Sequence, residues 1–410
     1  MAKSPRQRRK NRTRLLTDST GKIEYPELFF GFVAPIGADL EPTLNAFRSY
    51  LESRDYKVID VKVTDVFDAL AQSIAPRRSL SRKTEFDRYE TYIAYGNQIR
   101  SIFQDDVLAA NAINRVMASR LRHSEPGQFA KTAYLLHQFK RKEEIDLLRS
   151  VYGRLFFQVS IYSRRGSRVD YLSRKFASSE NKPVAQNYRD SAEALISQDE
   201  NQIGEKHGQR VASIFHDADF IVSTDAHQTV EHQVNRFCEL IFGSNITSPT
   251  KLEYGLFAAK AAALRTLDLS RQVGAAIFSP AGEVIAIGSN EVPKAGGGTY
   301  WCDDPFDDRD FVRGRDPNDD RKREIFGEIV RLVAPGEDPA RLLRRREIRD
   351  SQLMDMLEYG RVVHAEMSAL TDAARCGHSV REAMLFCTTF PCHICAKHIV
   401  CLGNLNSHFS

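Results

Sequence analysis

Two short motifs near the end of the chain constrain its fold more than any other feature. The motif His364-Ala365-Glu366 lies at the start of a predicted helix over 363–376. The motif Pro391-Cys392-His393-Ile394-Cys395 opens a second predicted helix, 391–402, and a predicted strand over 383–390 separates the two. His364 and Cys392 are 28 positions apart in the chain.

The side chains at these two N-termini are typical metal ligands. Cys392 and Cys395 are one helical turn apart and can point their sulfur atoms to the same side. A helix N-terminus stabilises thiolate over thiol because its free N–H groups and its dipole favour negative charge. With His364 they provide three ligands, the number that a catalytic zinc uses when it keeps its fourth position for water. We therefore predict one catalytic Zn²⁺ bound by His364, Cys392 and Cys395.

Glu366 is predicted to transfer protons and not to bind the metal. Two thiolates already neutralise the charge of the zinc, so the metal alone should acidify water less than it would with three histidines, and a carboxylate base is needed. A structural zinc or a set of buried thiols is the alternative, but the sequence has no second C-x-x-C to complete a four-sulfur site. The neighbouring His393 and His398 are expected to be packing or surface residues.

The second half of the chain, 250–410, is predicted to form one domain around these motifs. It begins with an alanine-rich helix over 252–269, followed by strands over 272–279 and 283–289 that a tight turn joins into a hairpin. A charged insertion follows over 296–350. Its basic residues, Arg313, Arg315 and the run Arg344 to Arg346, can grip substrate phosphates or form solvated helix faces, and such runs more often do the latter.

The first half, 21–243, alternates strands and helices. Strands are predicted over 28–34, 56–64, 133–139, 155–163 and 220–224, and helices over 40–54, 143–152 and 230–242. This alternation is typical of a parallel sheet with helices on both faces, so the fold class is α/β. The turn-rich segment 243–250 is the predicted domain boundary.

Charge and composition exclude several classes of protein. The chain has 58 Lys and Arg against 54 Asp and Glu, a net charge of +4. Residues 1–14 alone hold seven basic residues and no acid, so the rest of the chain is not a uniformly basic nucleic-acid binder, and 1–20 is predicted to be a disordered arm. No segment approaches the roughly 18 apolar residues of a membrane-spanning helix. Five of the seven cysteines lie in the last 35 residues, which suits metal binding in the cytoplasm better than a disulfide framework.

The two motifs give the second half a resemblance to a known fold. H-x-E followed by P-C-x-x-C is the signature of zinc nucleobase deaminases, and the order of helices and strands resembles the cytidine deaminase-like fold. Segments 268–275 (DLSRQVGA) and 288–293 (GSNEVP) are similar to the deoxycytidylate deaminase branch. This resemblance implies that Asn290 contacts the nucleotide; a turn residue is the equally weighted alternative.

The whole chain resembles the bacterial anti-phage deoxycytidine-nucleotide deaminases, in which a P-loop-NTPase-like domain precedes the deaminase domain. The segments that carry this resemblance outside the zinc motifs are 31–40, 95–100 and 133–153. It implies deamination of dCTP or dCMP to deoxyuridine nucleotides, which depletes the nucleotides that phage DNA synthesis requires.

The loop after the first strand departs from a working P-loop. When the loop is aligned on Gly37, Ala38 stands where the phosphate lysine belongs and Asp39 where the magnesium-binding hydroxyl belongs. We therefore expect no ATPase or kinase turnover, although backbone N–H groups near Gly31 and Gly37 can still hold a phosphate. The expected partner of this unit is a regulatory nucleotide or RNA. Asp39 is alternatively the N-cap of the following helix, with Pro42 in the first turn.

The end of the chain is a second departure, since deaminase folds continue with further strands after the P-C-x-x-C helix. We therefore expect the strand 384–390 to be an exposed edge, which a second copy of the chain or another partner can cover. Two other functions stay open: a catalytically impaired nucleotide sensor, and a polynucleotide or tRNA editing deaminase that uses the basic arm to bind nucleic acid.

Overall fold

The computed structural model describes residues 26–123, 131–200, 202, 205–226, 228–354, 356, 358–403 and 406–409. The predicted arm, 1–20, lies outside these residues. The chain divides into two compact units between Thr247 and Ser248. Within the described residues, no helix combines the length and the apolar character needed to cross a membrane.

The first unit contains a five-stranded parallel sheet. Its strands are β1 (Leu28–Val33), β2 (Lys57–Lys62), β3 (Thr132–His137), β4 (Phe156–Tyr162) and β5 (Phe220–Ser223). Their order in the sheet is β2-β3-β1-β4-β5, and all neighbouring pairs are parallel. The carboxyl ends of β1, β2 and β3 therefore share one edge of the sheet.

Helices of the first unit connect these strands. They are α1 (Glu41–Ser53), α2 (Phe67–Ser73), α3 (Glu85–Ile102), α4 (Val107–His123), α5 (Lys142–Tyr152), α6 (Arg165–Ser179), α7 (Arg189–Glu200), α8 (Val211–Phe215) and α9 (Val230–Ile241). Short 3-10 turns occupy Val63–Val66, Gly153–Leu155 and Ala185–Tyr188. The pattern of strands and helices predicted from the sequence is confirmed, but α2, α3, α4, α6, α7 and α8 were not predicted.

The central strand β1 is buried on both faces. Phe29 and Val33 pack into one apolar cluster, and Phe30 and Phe32 pack into another on the opposite face. Alternating side chains therefore anchor helices on both sides of the sheet, as expected for a parallel sheet covered by helices.

The start of α1 differs from one reading of the sequence. Leu40 occupies the N-cap position, with no side-chain cap, so the proposed N-cap role of Asp39 is wrong. The Asp39 carboxylate instead accepts a hydrogen bond from the backbone N–H of Glu41 at 3.3 Å. Pro42 lies in the first turn, as predicted, where its missing N–H leaves no helical hydrogen bond unmade.

The second unit has a four-stranded mixed sheet. Its strands are β6 (Gly274–Phe278), β7 (Val284–Ser289), β8 (Met384–Cys387) and β9 (Asn406–Phe409), in the order β7-β6-β8-β9. Strand β6 is antiparallel to β7 and β8, whereas β8 and β9 are parallel. The helices are α10 (Lys251–Ala263), α11 (Asp310–Arg313), α12 (Pro317–Val333), α13 (Pro339–Leu342), α14 (Arg346–Arg349), α15 (Ala365–Arg375) and α16 (His393–Cys401). The α/β class and the presence of a second sheet are thus confirmed.

Two predictions for this unit are wrong. Helix α10 ends at Ala263 and not at 269, because residues 268–273 form a loop in which the Asp268 carboxylate accepts hydrogen bonds from the backbone N–H groups of Ser270 and Arg271. The segment 384–390 is not an edge strand, because β9 pairs with β8 along its length. A four-residue strand near the end of the chain thus covers the exposed edge predicted from the sequence.

A glycine sets the distance between β7 and helix α15. A Cβ atom on Gly288 would lie 2.4 Å from the carbonyl oxygen of Ala365 and from the backbone nitrogen of Ala369. Only a residue without a side chain allows the helix backbone to approach the strand this closely. Helix α15 carries the H-A-E motif, so this contact fixes the motif against the sheet.

Candidate active site

Three potential metal ligands meet at one point of the second unit. The Nδ1 atom of His364 lies 3.2 Å from Cys392 Sγ and 3.4 Å from Cys395 Sγ. The three ligand atoms all lie within 4.8 Å of one another, and this is the one such group found among the described residues. The structure therefore brings together the three side chains that the sequence analysis selected.

Local structure places His364 at this point. His364 is the N-cap residue of α15, and its carbonyl oxygen accepts the first helical hydrogen bond, from Ser368 N–H at 2.8 Å. The preceding residue, Val363, forms an antiparallel bridge with Glu291, just beyond the end of β7. The imidazole is thus held between a strand end and a helix start.

The two cysteines open helix α16. Cys392 is its N-cap residue, and the Cys392 sulfur accepts a hydrogen bond from the Cys395 N–H at 3.5 Å. Cys395 is fully buried. The sulfur takes the place of the oxygen of an ordinary N-cap residue. It lies at the positive end of the helix dipole, which stabilises a thiolate, as predicted.

The residues fit a zinc ion. Zn–N and Zn–S bonds of about 2.1 and 2.3 Å at a tetrahedral angle separate a nitrogen and a sulfur ligand by about 3.6 Å, close to the observed distances. Burial raises the pKa of the Cys395 thiol, and the nearby charges of Glu366 and Cys392 raise it further. The two thiolates and the Glu366 carboxylate would repel one another, and a divalent cation bound between the sulfur atoms would offset this repulsion.

Glu366 lies beside this cluster and lines a cavity. Its residue is 4% exposed, and it lines a cavity of about 430 Å³ together with His364 and Cys392. A volume of a few hundred Å³ suits a ligand of nucleotide size. The carboxylate is therefore placed where it can exchange a proton with a ligand in the cavity.

Asn290 also lines this cavity, and its side chain holds the neighbouring loop in place. Its Oδ1 atom accepts a hydrogen bond from Val273 N–H at 2.7 Å, and its Nδ2 atom donates to the carbonyl oxygen of Arg271 at 2.7 Å. An amide has two donors and two acceptor lone pairs. One donor and one lone pair of Asn290 thus remain for a ligand.

The cavity wall has a mixed charge that the sequence analysis did not anticipate. Arg271 is the one guanidinium or ammonium group among the described lining residues, whereas Asp268, Asp310 and Asp316 contribute carboxylates. Burial raises the pKa of the Asp310 carboxyl, although Arg361 lies 3.4 Å from it. The acidic residues come from the charged insertion and from a loop, so only the folded chain shows that they border the cavity.

The basic residues considered as phosphate contacts lie elsewhere. Arg313 pairs with Asp308 at 2.7 Å, and Arg346 pairs with Asp350 at 3.1 Å on the surface. None of Arg313, Arg315 and Arg344 to Arg346 is among the described residues that line the cavity. Their arrangement agrees with the solvated alternative.

The two glycines proposed for nucleotide binding have different surroundings in the first unit. Gly31 lies inside β1, where an added Cβ atom would lie 2.4 Å from the ring of Phe156. Gly37 adopts φ +86° in the loop after β1, and the backbone of Arg168 packs against it. Gly37, unlike Gly31, borders a cavity.

Comparison with known proteins relates the second unit to one family. The family model described as "Cytidine and deoxycytidylate deaminase zinc-binding region" matches residues 249–407, which is less than half of the chain. The second unit therefore contains a zinc-binding domain of the cytidine and deoxycytidylate deaminase type. No curated protein matches the chain.

Several solved structures share low similarity with the chain. The apo dCMP deaminase from cyanophage S-TIM5 is 20% identical over 40% of this chain and 83% of its own, with a TM-score of 0.23. The shikimate kinase from Aquifex aeolicus vf5 is 11% identical over 54% of this chain and 100% of its own, with a TM-score of 0.28. The shikimate kinase from Bacteroides thetaiotaomicron is 10% identical over 52% of this chain and 98% of its own, also with a TM-score of 0.28. These scores are too low to transfer a function.

Proposed function

We propose that the second unit catalyses the zinc-dependent hydrolytic deamination of a deoxycytidine nucleotide, dCMP or dCTP, to the corresponding deoxyuridine nucleotide. The observation that supports this most is the meeting of His364, Cys392 and Cys395 next to a buried Glu366 that lines a cavity. The match of residues 249–407 to the deaminase zinc-binding family supports the same reaction.

In this proposal, His364, Cys392 and Cys395 hold the metal. When bound, zinc supplies Lewis acidity, which lowers the pKa of a coordinated water molecule. Glu366 takes one proton from the attacking water and gives it to the ring nitrogen N3. It then takes the second proton, from the hydroxyl that the water has placed on C4, and gives it to the amino group, which leaves as ammonia while the C4 carbonyl forms. Because Glu366 is buried, few water molecules compete for these transfers.

The cavity wall suggests how the nucleotide is held. We assign the 5′-phosphate to Arg271, whose guanidinium makes no hydrogen bond or ion pair among the described residues, and we assign a polar contact with the substrate to the free donor and acceptor of Asn290. The nearby carboxylates of Asp268, Asp310 and Asp316 repel each additional phosphate group. We therefore expect dCMP to be converted more readily than dCTP.

We also assign this reaction to the cytoplasm and to anti-phage defence by nucleotide depletion. The resemblance of the whole chain to bacterial anti-phage deaminases supports the role, and the seven unpaired cysteines suit a reducing compartment. Infection of cells that carry the active or the Glu366→Gln protein, with dCTP and dCMP levels measured over time, tests the role.

The test of the chemistry combines zinc content with product analysis. Purified protein is incubated with dCMP, dCTP, CMP, single-stranded DNA and tRNA, and ammonia and uracil products are measured. We expect deamination of a deoxycytidine mononucleotide by the parent, and a loss of about 10²–10⁴-fold in Glu366→Gln with zinc content unchanged. Glu283→Gln, at an exposed residue in the β6–β7 turn, serves as the matched control. Full turnover by Glu366→Gln contradicts the assigned role, and deamination of the polynucleotides alone contradicts the assigned substrate.

A further inference from the structure

The first unit has a cavity of its own. It has a volume of about 250 Å³ and lies at the carboxyl ends of β1, β2 and β3. In open parallel sheets, ligands bind at this edge, next to the point where the strand order reverses. The strand order of this sheet, β2-β3-β1-β4-β5, reverses beside β1.

A buried histidine faces this cavity without a partner. His137 is the last residue of β3, is 8% exposed, and its Nδ1 atom has no hydrogen-bond partner. Burial and the neighbouring Lys62 lower the pKa of His137 to about 4, so its ring is neutral at pH 7. A neutral imidazole offers one donor and one acceptor. Leaving the buried Nδ1 atom unpaired is unfavourable unless a ligand completes its hydrogen bonding.

A second buried polar group lies on the wall of the same cavity. Gln209 is 6% exposed, and its Oε1 atom also has no hydrogen-bond partner. This oxygen can only accept a hydrogen bond. The unpaired groups therefore call for a ligand that has both acceptors and donors, which excludes a fully deprotonated inorganic anion as the complete occupant.

Positive charge and further polar groups lie beside His137. Lys62 is paired in register with His137 across β2 and β3, and its ammonium group has no hydrogen-bond or ion-pair partner in the described part of the chain. Next to it, the Thr64 hydroxyl donates to Gln138 Oε1 at 2.6 Å, and Gln138 adopts φ +79°. A positive φ is costly for a residue other than glycine and is frequent at binding sites.

Part of the remaining wall is aromatic, and its other cations already have carboxylate partners: Arg88 and Lys175 pair with Glu85, Arg100 with Glu144 and Lys140 with Asp199. The loop after β1 is unsuited to phosphate. Phe67, Tyr89 and Tyr92 line the cavity and offer flat apolar surfaces to a ring. On the loop side, Asp39 contributes a carboxylate that repels phosphate, and the lysine of a working P-loop is absent. Within this cavity, an anion is therefore best placed at Lys62 and His137.

We propose that this cavity is a binding site for a nucleoside monophosphate, with the phosphate at Lys62 and His137 and the ring against the aromatic wall. A donor of the sugar or the base then pairs with Gln209. The volume is below the roughly 300 Å³ at which pockets for drug-sized ligands begin, which favours a monophosphate over a triphosphate. The site is independent of the proposed deaminase reaction, because all of its residues lie in the first unit.

Binding to the full-length protein tests this site. The Glu366→Gln protein is titrated calorimetrically with dTMP, dAMP, dGMP, the corresponding triphosphates and inorganic phosphate, so that no substrate is consumed. Two further variants, His137→Phe and Lys62→Met, are made in this background. Lys57→Met is the matched control, since Lys57 lies on the same strand, is exposed and does not line the cavity.

We expect at least one monophosphate to bind more tightly than its triphosphate and than inorganic phosphate. His137→Phe and Lys62→Met should each weaken its binding by about tenfold or more, and Lys57→Met should change it by less than about twofold. The melting temperature of His137→Phe should not fall, because an apolar ring replaces an unpaired buried imidazole. This separates a binding role from a structural one.

Several results would overturn the proposal. These are the absence of monophosphate binding at millimolar concentration, unchanged affinity in His137→Phe, tighter binding of a triphosphate, or inorganic phosphate binding as tightly as every monophosphate. If His137→Phe loses binding and its melting temperature also falls greatly, His137 has a structural role. The test of the site then rests on Lys62→Met, and unchanged monophosphate binding in that variant also overturns the proposal.

Discussion

The imidazole of His364 lies 3.2 Å from the sulfur of Cys392, although the two residues are 28 positions apart in the chain. Helices α15 and α16 both begin at this point, and strand β8 lies between them in the sequence. Each residue is the N-cap of its helix, so two helix starts hold the pair in place. The geometry of the candidate metal centre thus follows from where two helices begin.

Removal of one sulfur ligand should empty the metal site. Loss of a residue that only hydrogen-bonds a metal ligand lowers metal affinity by about 10–100-fold. Cys395→Ser removes a ligand itself, so we expect a larger fall in zinc affinity, with activity falling as zinc is lost. Cys401→Ser is the control, since Cys401 is exposed at the end of the same helix. Zinc per chain is measured by atomic emission after dialysis. A full complement of zinc in Cys395→Ser would show that this sulfur is not a ligand.

A methyl group at position 288 should displace helix α15. Since a Cβ atom there would lie 2.4 Å from backbone atoms of Ala365 and Ala369, we expect Gly288→Ala to cost about 1–3 kcal/mol of folding free energy and to reduce activity. Gly327→Ala serves as the control, because the nearest neighbour of its Cβ would be the flexible Arg331 side chain at 3.8 Å. Chemical denaturation and activity are compared. Equal stability of the two variants would contradict the close-contact argument.

Loss of the Asn290 amide should loosen the loop that borders the active-site cavity. Asn290→Ala removes hydrogen bonds to the backbone of Arg271 and Val273, so we expect about 1–2 kcal/mol lower stability and a raised KM. Thermal denaturation and steady-state kinetics with dCMP are measured. A raised KM without a change in stability would assign Asn290 to substrate contact alone, whereas unchanged KM would contradict its place in the nucleotide pocket.

Acid should destabilise the first unit through His137. Its pKa is lowered from 6.5 to about 4, by burial first and by Lys62 next, with Arg115 adding to the effect and Asp60 and Asp65 opposing it. The unfolded chain therefore binds a proton more readily, and stability is lost as the pH falls from 6.5 to 4, by up to about 3 kcal/mol.

His137→Phe lacks this titration, so its melting temperature should rise relative to the parent as the pH is lowered from 7 to 5. Calorimetry without added ligand measures the difference at each pH. A difference that stays constant with pH would contradict the lowered pKa. The melting temperature of the control Lys57→Met should change between pH 7 and pH 5 by the same amount as that of the parent.

The sequence was sufficient to predict structure where local pattern and burial agree. β1 was predicted because six consecutive residues are buried between two layers of helices, and apolar runs are typical of such strands. Helix α3 was not predicted, because its buried residues include Gly96, Asn97, Gln98 and Arg100. Their polarity is satisfied by tertiary contacts such as the Arg100–Glu144 ion pair at 2.7 Å, so no apolar period marks the helix.

The end of the chain shows the same division. The segment that became β9 is too short and too polar to be recognised by its pattern, and its pairing with β8 is a contact between residues distant in the sequence. The predicted open edge was therefore wrong for a physical reason: the stability of a strand depends on its neighbour.

The sequence by itself determined which side chains can bind zinc and transfer protons, because ligand chemistry and helix-start spacing are local properties of His364, Glu366, Cys392 and Cys395. Only the tertiary structure decided what surrounds them. Asp310 and Asp316 border the cavity, and His137 and Gln209 share another, because folding brings together segments far apart in the chain. Charge, burial and unpaired hydrogen-bonding groups depend on these distant neighbours, and no local pattern records them.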